Sequence, residues 1–298
     1  MSALLLLAGC LLLGALANRI WTVPQRLVHL LNAWVLRIAL PALILVLLPR
    51  MSFSRELWFL VAAMWLVFAG GWAVAAFAGA RLGWPRARIG ALALLAGLGN
   101  TAFTGYPFIE ALRGPGALPL AVVADQFGTF IALATAGVIV ASWYGGERAT
   151  PAALLARIAG FPPFIACFVG IAAGHFGGWP AGLERVLHLL GATLSPLALL
   201  SVGLQLRLRV GVAEWRAIGI GLGWKLVAAP ALVGVLGLAA GARGLILAVG
   251  VLQAAMGPMV SAAILADEYR LDATVANAML AVGVVLSLAT VPLIDALL

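Results

Sequence analysis

Three ionisable side chains stand inside long apolar runs of this sequence: Arg37, Asp125 and Lys225. A charge at the centre of a bilayer-spanning helix costs roughly 2.5–3.5 kcal/mol on insertion scales, so each is a candidate for function by default. Asp125, followed directly by Gln126, is suited to take up and release a proton or a cation. Its alternative is a fixed structural partnership with Lys225 or Asn100. Lys225 in turn either pairs with Asp125 or snorkels toward an interface. Arg37 either neutralises a substrate carboxylate or bonds helix carbonyls.

Two further stretches carry polar and helix-breaking residues at the same depth. Gly97-Leu98-Gly99-Asn100-Thr101-Ala102-Phe103-Thr104-Gly105-Tyr106-Pro107 puts three glycines, a proline and three polar side chains into one apolar span. Proline removes a backbone donor and clashes with the preceding turn, which predicts unpaired carbonyls near Phe103 and Thr104. The second stretch holds Gln253, Met256, Gly257, Pro258 and Ser261. Irregular backbone at bilayer depth is tolerated where it lines a cavity or is buried in protein. Two broken spans crossing near the midplane offer half-helix N-termini to an anion and carbonyls to a cation. Asn100, Thr101, Tyr106 and Pro107 from the first break, Gln253, Met256 and Pro258 from the second, and Arg37 are therefore the expected substrate contacts. Asp125, Gln126, Lys225 and Asn277 are the expected coupling or ion-handling set.

The elements that must position these residues are apolar helices. Of 298 residues 64% are hydrophobic and 9% charged, and the mean hydropathy is +1.14. A soluble domain averages about 25% charged residues, so a bilayer is the solvent for most of this chain. Apolar runs bounded by charge, Gly or Pro predict ten helices: Ser2–Asn18, Leu27–Leu48, Leu57–Ala80, Ile89–Leu112, Ala117–Trp143, Phe161–Phe176, Val186–Leu206, Ala217–Ala240, Leu245–Ala266 and Ala273–Leu297. Met1–Asn18 lacks a basic leader and a cleavage site and reads as the first span. Cys10 and Cys167 fall within spans, with no disulfide or metal spacing.

The net charge of +8 is a topology signal, not a footprint for nucleic acid. Arg19, Arg26, Arg81, Arg86, Arg88, Arg148, Arg157, Arg207, Arg209, Arg216 and Arg270 fall in one set of alternate loops; Arg50, Arg55, Arg113, Arg185 and Arg243 fall in the other. Eleven against five makes the first set cytoplasmic and places both termini outside. Trp58, Trp84, Trp143, Trp179 and Trp215 lie near span ends, where an aromatic belt sits.

Five spans per half is an odd number, so the second half enters the membrane inverted. The expected fold is an all-α membrane protein of ten transmembrane helices in two inverted five-helix repeats, residues 1–143 and 161–298, joined by a cytoplasmic linker at 144–160. Pro41 in the second span answers to Pro196 in the seventh, and Pro107 in the fourth to Pro258 in the ninth. Pro107 to Asp125 is 18 positions and Pro258 to Asn277 is 19, which puts the two polar residues at matching places in the fifth and tenth spans. Inverted repeats of this kind hold substrate at their interface. Enzyme motifs are missing: there is no H-E-x-x-H, G-x-S-x-G or P-loop. No catalytic residue, metal site or cofactor is expected. A membrane receptor or scaffold without flux is the rival reading, and an intramembrane enzyme lacks its nucleophile pair.

Around the fourth span the sequence resembles the auxin efflux carrier family. The residues that carry the likeness are Gly99 to Pro107, Ala124-Asp125-Gln126, Leu40-Pro41-Ala42-Leu43, Ser195-Pro196-Leu197-Ala198-Leu199, Lys225-Leu226 with Pro230, and Ala254-Ala255-Met256-Gly257-Pro258. The resemblance spans essentially the whole chain. It implies a fold similar to bile acid:sodium symporters, with spans 1, 2, 6 and 7 as a scaffold and spans 3–5 and 8–10 as a moving unit with crossed spans 4 and 9. It also implies transport of a small organic anion, a mono- or dicarboxylate such as malate or malonate, or an auxin-like acid. The short segment Tyr144–Arg157 fits the bacterial branch, hence a multi-pass protein of the cell inner membrane. Lys225 would stand where related carriers hold a cation, and Ala254, Ala255 and Met256 stand where sodium-coupled relatives place acidic and polar residues. Proton or sodium coupling both stay open, as does assembly as a homodimer.

Overall fold

The computed structural model describes residues 2–20, 23–51, 54–146, 150–205 and 214–298. Arg148, Arg207 and Arg209 of the orientation count, Leu206 at the expected end of the seventh span, and Met1 lie outside the described residues. Among the described residues every regular element is helical, accompanied by one isolated antiparallel bridge, Gly99 to Pro258.

The helices are α1 (Ser2–Ile20), α2 (Gln25–Arg50), α3 (Leu57–Leu82), α4 (Arg86–Gly97), α5 (Gly105–Arg113), α6 (Pro115–Gly145), α7 (Pro151–Ala159), α8 (Pro162–His175), α9 (Ala181–Gln205), α10 (Trp215–Ala239), α11 (Gly244–Ala255), α12 (Val260–Glu268) and α13 (Ala273–Asp295). Six of them, α2, α3, α6, α9, α10 and α13, are long and apolar enough to cross a bilayer. A seventh span results if α7 and α8, bent by 58° at Gly160–Phe161, count as one. The chain is thus a multi-pass membrane protein. The segments expected as the fourth and ninth spans each come as two short helices, α4 with α5 and α11 with α12. The segment expected as a plain linker, 144–160, contains α7, a helix without a buried residue.

The break in the first of these spans falls within the expected stretch 97–107, but Pro107 is not its cause. Residues 98–104 are non-helical, and Pro107 sits inside the first turn of α5, where a missing N–H costs no intrahelical bond. The Thr104 carbonyl, expected to be stranded, accepts the Phe108 N–H at 3.0 Å. Prolines act differently in α2 and α10. Pro41 and Pro230 each follow a π-helical turn, Val35–Ala39 and Trp224–Ala228. There the Leu40 N–H reaches back to the Val35 carbonyl and the Ala229 N–H to the Trp224 carbonyl, one residue further than in an α-helix. A proline that forfeits its own bond favours this slack in the preceding turn.

The chain divides into two compact units. The first comprises Met1–Arg55, Ala102–Val122 and Ala156–Leu206. Within it α1 lies so close to α9 that a methyl group on Gly203 would sit 2.2 Å from the Leu11 carbonyl oxygen. Small residues let membrane helices approach in this way, and van der Waals contact then holds them. Ser201 Oγ donates to Asn32 Oδ1 at 2.5 Å, Trp34 Nε1 to Thr193 Oγ1 at 3.0 Å, and Trp179 Nε1 to the Leu45 carbonyl at 2.7 Å. Arg50 pairs with Glu184 at one end of the unit.

The second unit comprises Glu56–Thr101, Val123–Leu155 and Arg207–Leu298. Its centre is the pair of half-helices α4 and α11, buried continuously over Gly90–Gly97 and Ala248–Ala255. A helix apolar on every side belongs inside a bundle, so both breaks open in the interior. Gly71 and Gly97 let the main chains of α3 and α4 meet. At the other end of α4, Arg88 pairs with Asp272 at 2.9 Å. Asp272 also caps α13 by accepting the Val275 N–H at 3.1 Å, and its own N–H donates to the Ala87 carbonyl.

Candidate functional site

The two breaks of the second unit pair with each other through main chain. The Asn100 N–H donates to the Gly257 carbonyl at 2.8 Å, and the Met259 N–H donates to the Leu98 carbonyl at 3.0 Å. These bonds flank Gly99 and Pro258, which face each other as a pair that exchanges no bond of its own. Such a pair brings its Cα atoms closest, about 4.5 Å. That spacing suits glycine, and it asks no N–H of the residue opposite, which suits proline. The sequence therefore places Gly and Pro where neither defect is felt.

Side chains from α6, α10 and α11 surround this crossing. Thr101 Oγ1 donates to Asp125 Oδ1 at 2.5 Å, and Gln126 Nε2 donates to Asp125 Oδ2 at 2.6 Å. Gln253 Nε2 donates to the Thr101 carbonyl at 3.3 Å. Asn100, Thr101, Asp125, Gln126 and Gln253 are all at most 2% exposed. Lys225 is fully buried as well and donates from Nζ to the Ala254 carbonyl at 2.7 Å. Ala254 lies in the last turn of α11, where the helix dipole is negative and a cation is favoured. An ammonium ion thus meets the carbonyl end of one half-helix beside the first break, within a contact distance that leaves room for no side chain on Gly99.

All three in-span ionisable residues occupy π-helical turns: Arg37 in Val35–Ala39, Asp125 in Val123–Phe130 and Lys225 in Trp224–Ala228. The wider turn re-aims a side chain relative to its helix, and such turns are frequent at functional sites. The four coupling candidates do not share one environment. Asp125, Gln126 and Lys225 are buried, whereas Asn277 lies on an exposed face of α13. Of the substrate candidates, Asn100, Thr101, Gln253, Met256 and Pro258 sit at the paired breaks. Tyr106 and Pro107, both buried on α5, and Arg37, exposed on α2, belong to the first unit.

Sequence reasoning passed over Thr129 and Gly283. Thr129 is 2% exposed, one turn beyond Asp125 on α6, and its Oγ1 has no hydrogen-bond partner. Gln126 Oε1 and Gln253 Oε1 are likewise buried acceptors without a donor. The spacing of four from Asp125 was the signal available for Thr129. Gly283 lies against the Pro258 ring, where a methyl group would come within 2.3 Å of Cδ. No sequence signal marks that approach, because it joins α13 to the second break.

A family profile described as membrane transport protein matches residues 1–294. An uncharacterized transporter of Methanothermobacter thermautotrophicus is 28% identical over 289 residues, which cover 95% of this chain and 93% of that protein. An uncharacterized transporter of Methanocaldococcus jannaschii, MJ1031, is 30% identical over 145 residues, 47% of this chain and 44% of that protein.

Proposed function

The chain belongs to this membrane transport family, that of the auxin efflux carriers, and from that premise we propose that it is an alternating-access carrier of a small organic anion. The substrate is a mono- or dicarboxylate such as malate or malonate, or an auxin-like acid. The observation that carries the reading is the buried pairing of two helix breaks at Gly99 and Pro258, with Lys225 and Asp125 beside it. Broken helices at depth give an anion main-chain dipoles to bind, and a buried ammonium offsets its charge.

In this proposal the ten spans form two inverted five-helix repeats in the inner membrane, with both termini outside. Spans 1, 2, 6 and 7 are the scaffold, and spans 3–5 and 8–10 carry the site. The grouping of Met1–Arg55 with Ala156–Leu206 in one compact unit supports that assignment, although Ala102–Val122, from spans 4 and 5, falls in the same unit. Asn100, Thr101, Gln253, Met256 and Pro258 contact substrate; Asp125 and Gln126 handle the coupling ion. Asn277 serves from α13. The carrier works without a cofactor or catalytic residue.

Two coupling ions fit the proposal, and a specific observation favours each. A proton suits Asp125, the one carboxylate in this buried network. Sodium suits the donorless oxygens of Gln126 and Gln253, since hard cations take oxygen ligands. Uptake of a radiolabelled carboxylate panel into proteoliposomes, under imposed proton and then sodium gradients, separates them. Saturable uptake that collapses in Asn100→Ala and Asp125→Asn supports the assignment. Full uptake in both variants removes these residues from the mechanism, and absence of flux for every acid in the presence of binding favours a receptor.

A further inference from the structure

On the outer surface of the second unit, α3 and α10 touch. They meet where Trp224 lies in the notch left by Gly70 and its Nε1 donates to the Val67 carbonyl at 3.2 Å. Toward the Leu82 end of α3 an open groove of about 590 Å³ runs along that helix beside Ile220 of α10. Its walls are Ala73, Phe77, Ala78 and Leu82 of α3 and Ile220 of α10, and its only charged lining residue is Arg81. The lining from Ala73 to Leu82 runs about 13 Å at 1.5 Å per residue, a useful length of acyl chain. The Arg81 guanidinium stands 4.7 Å over the Phe77 ring, exposed at the mouth. At the same end, one turn before Ile220, Trp215 and Arg216 are both exposed.

We propose that this groove is a binding site for one anionic phospholipid, its acyl chain against the α3 and α10 walls and its phosphate on Arg81. Charge complementarity selects the occupant. An uncharged lipid fills the apolar part equally well but gives Arg81 nothing to bind. A basic side chain near the membrane surface adds attraction for anionic headgroups, and a tryptophan beside it marks headgroup depth. Arg216 adds a second positive charge at that level. The site lies on the outer surface of α3, apart from the paired breaks, and stands whether or not the transport reading does.

The test uses the purified full chain in phosphatidylcholine nanodiscs with a trace of spin-labelled phosphatidylglycerol or spin-labelled phosphatidylcholine. The motionally restricted fraction is read by electron paramagnetic resonance. The wild type is expected to retain phosphatidylglycerol about fivefold over phosphatidylcholine. Arg81→Gln lowers the preference, Ala73→Phe lowers the restricted fraction by filling the groove, and Arg185→Gln, on the other unit, changes neither. Ala73 and Arg81 are exposed, so both variants should fold. Equal retention of the two lipids by the wild type, or a preference that survives both Arg81→Gln and Ala73→Phe, overturns the proposal. So does displacement by soluble glycerol phosphate, which would mark an anion site with no role for the chain.

Discussion

Gly99 and Lys225 are matched in size across the first helix break: a methyl group on Gly99 would lie 2.8 Å from Nζ and 3.2 Å from Cε. The lysine head is fixed by the Ala254 carbonyl, so it cannot yield without giving up that bond.

Gly99→Ala is therefore expected to destabilise the protein by about 1–3 kcal/mol, the usual range for overpacking a full site. The double variant Gly99→Ala, Lys225→Ala should recover part of the loss, because the clash disappears with the side chain. Thermal unfolding of the four proteins of this cycle measures the coupling. Strictly additive losses would show that the two residues do not sense each other.

Asp125 accepts from the Thr101 hydroxyl and from the Gln126 amide. In Asp125→Asn the carbonyl oxygen can keep one of these donors while the other partner, the Thr101 hydroxyl or the Gln126 Oε1, turns to accept from the new amide N–H. That variant should keep its melting temperature within a few degrees while losing the dependence of uptake on the coupling gradient. Asp125→Ala strands both donors and should cost about 1–3 kcal/mol. Equal melting temperatures for the Asn and Ala variants would contradict the bonding described.

Gln253→Leu removes a donor to the Thr101 carbonyl together with a buried acceptor that has no donor. The two effects oppose, so the stability change should stay within about 1 kcal/mol. Transport should fall nonetheless, since the amide sits at the crossing. A large loss of stability with normal uptake would make Gln253 a packing residue.

Asp272 does more than pair with Arg88, because it also caps α13. Asp272→Ala should cost about 1–2 kcal/mol through the lost cap, and Arg88→Ala less, as befits a partly exposed ion pair. Asp272→Asn keeps the capping acceptor and should fall between them. Chemical denaturation in detergent micelles can rank the three.

In the first unit, Gly203→Val would drive a side chain against the Leu11 carbonyl of α1. Backbone on both sides leaves nothing flexible to move. The melting temperature should drop by several degrees, as about 1–3 kcal/mol of overpacking implies, while Gly219→Val, in open space on α10, should leave it unchanged.

The class of this protein, the two places where helices break and the three in-span charges are all legible in the order of residues alone. Each follows from short-range information: the length of an apolar run, a cluster of Gly and Pro, an ionisable residue among aliphatics. The same local signals misplaced detail. They expected a stranded carbonyl at Thr104 ahead of Pro107, whereas a proline in a first turn interrupts nothing, and that carbonyl is paired with Phe108. They read 144–160 as a linker, although α7 lies within it.

Which groups meet depends on long-range packing. Thr101 and Asp125 are 24 residues apart, Lys225 and Ala254 are 29 apart, and Gln253 and Thr101 are 152 apart. Repeat spacing made Asp125 and Asn277 look alike, yet one is buried and the other exposed. Burial depends on the neighbours that pack around a helix, and those come from distant segments. A buried charge takes whichever carbonyl or hydroxyl the packing presents, so its partner is a property of the fold and not of the surrounding sequence.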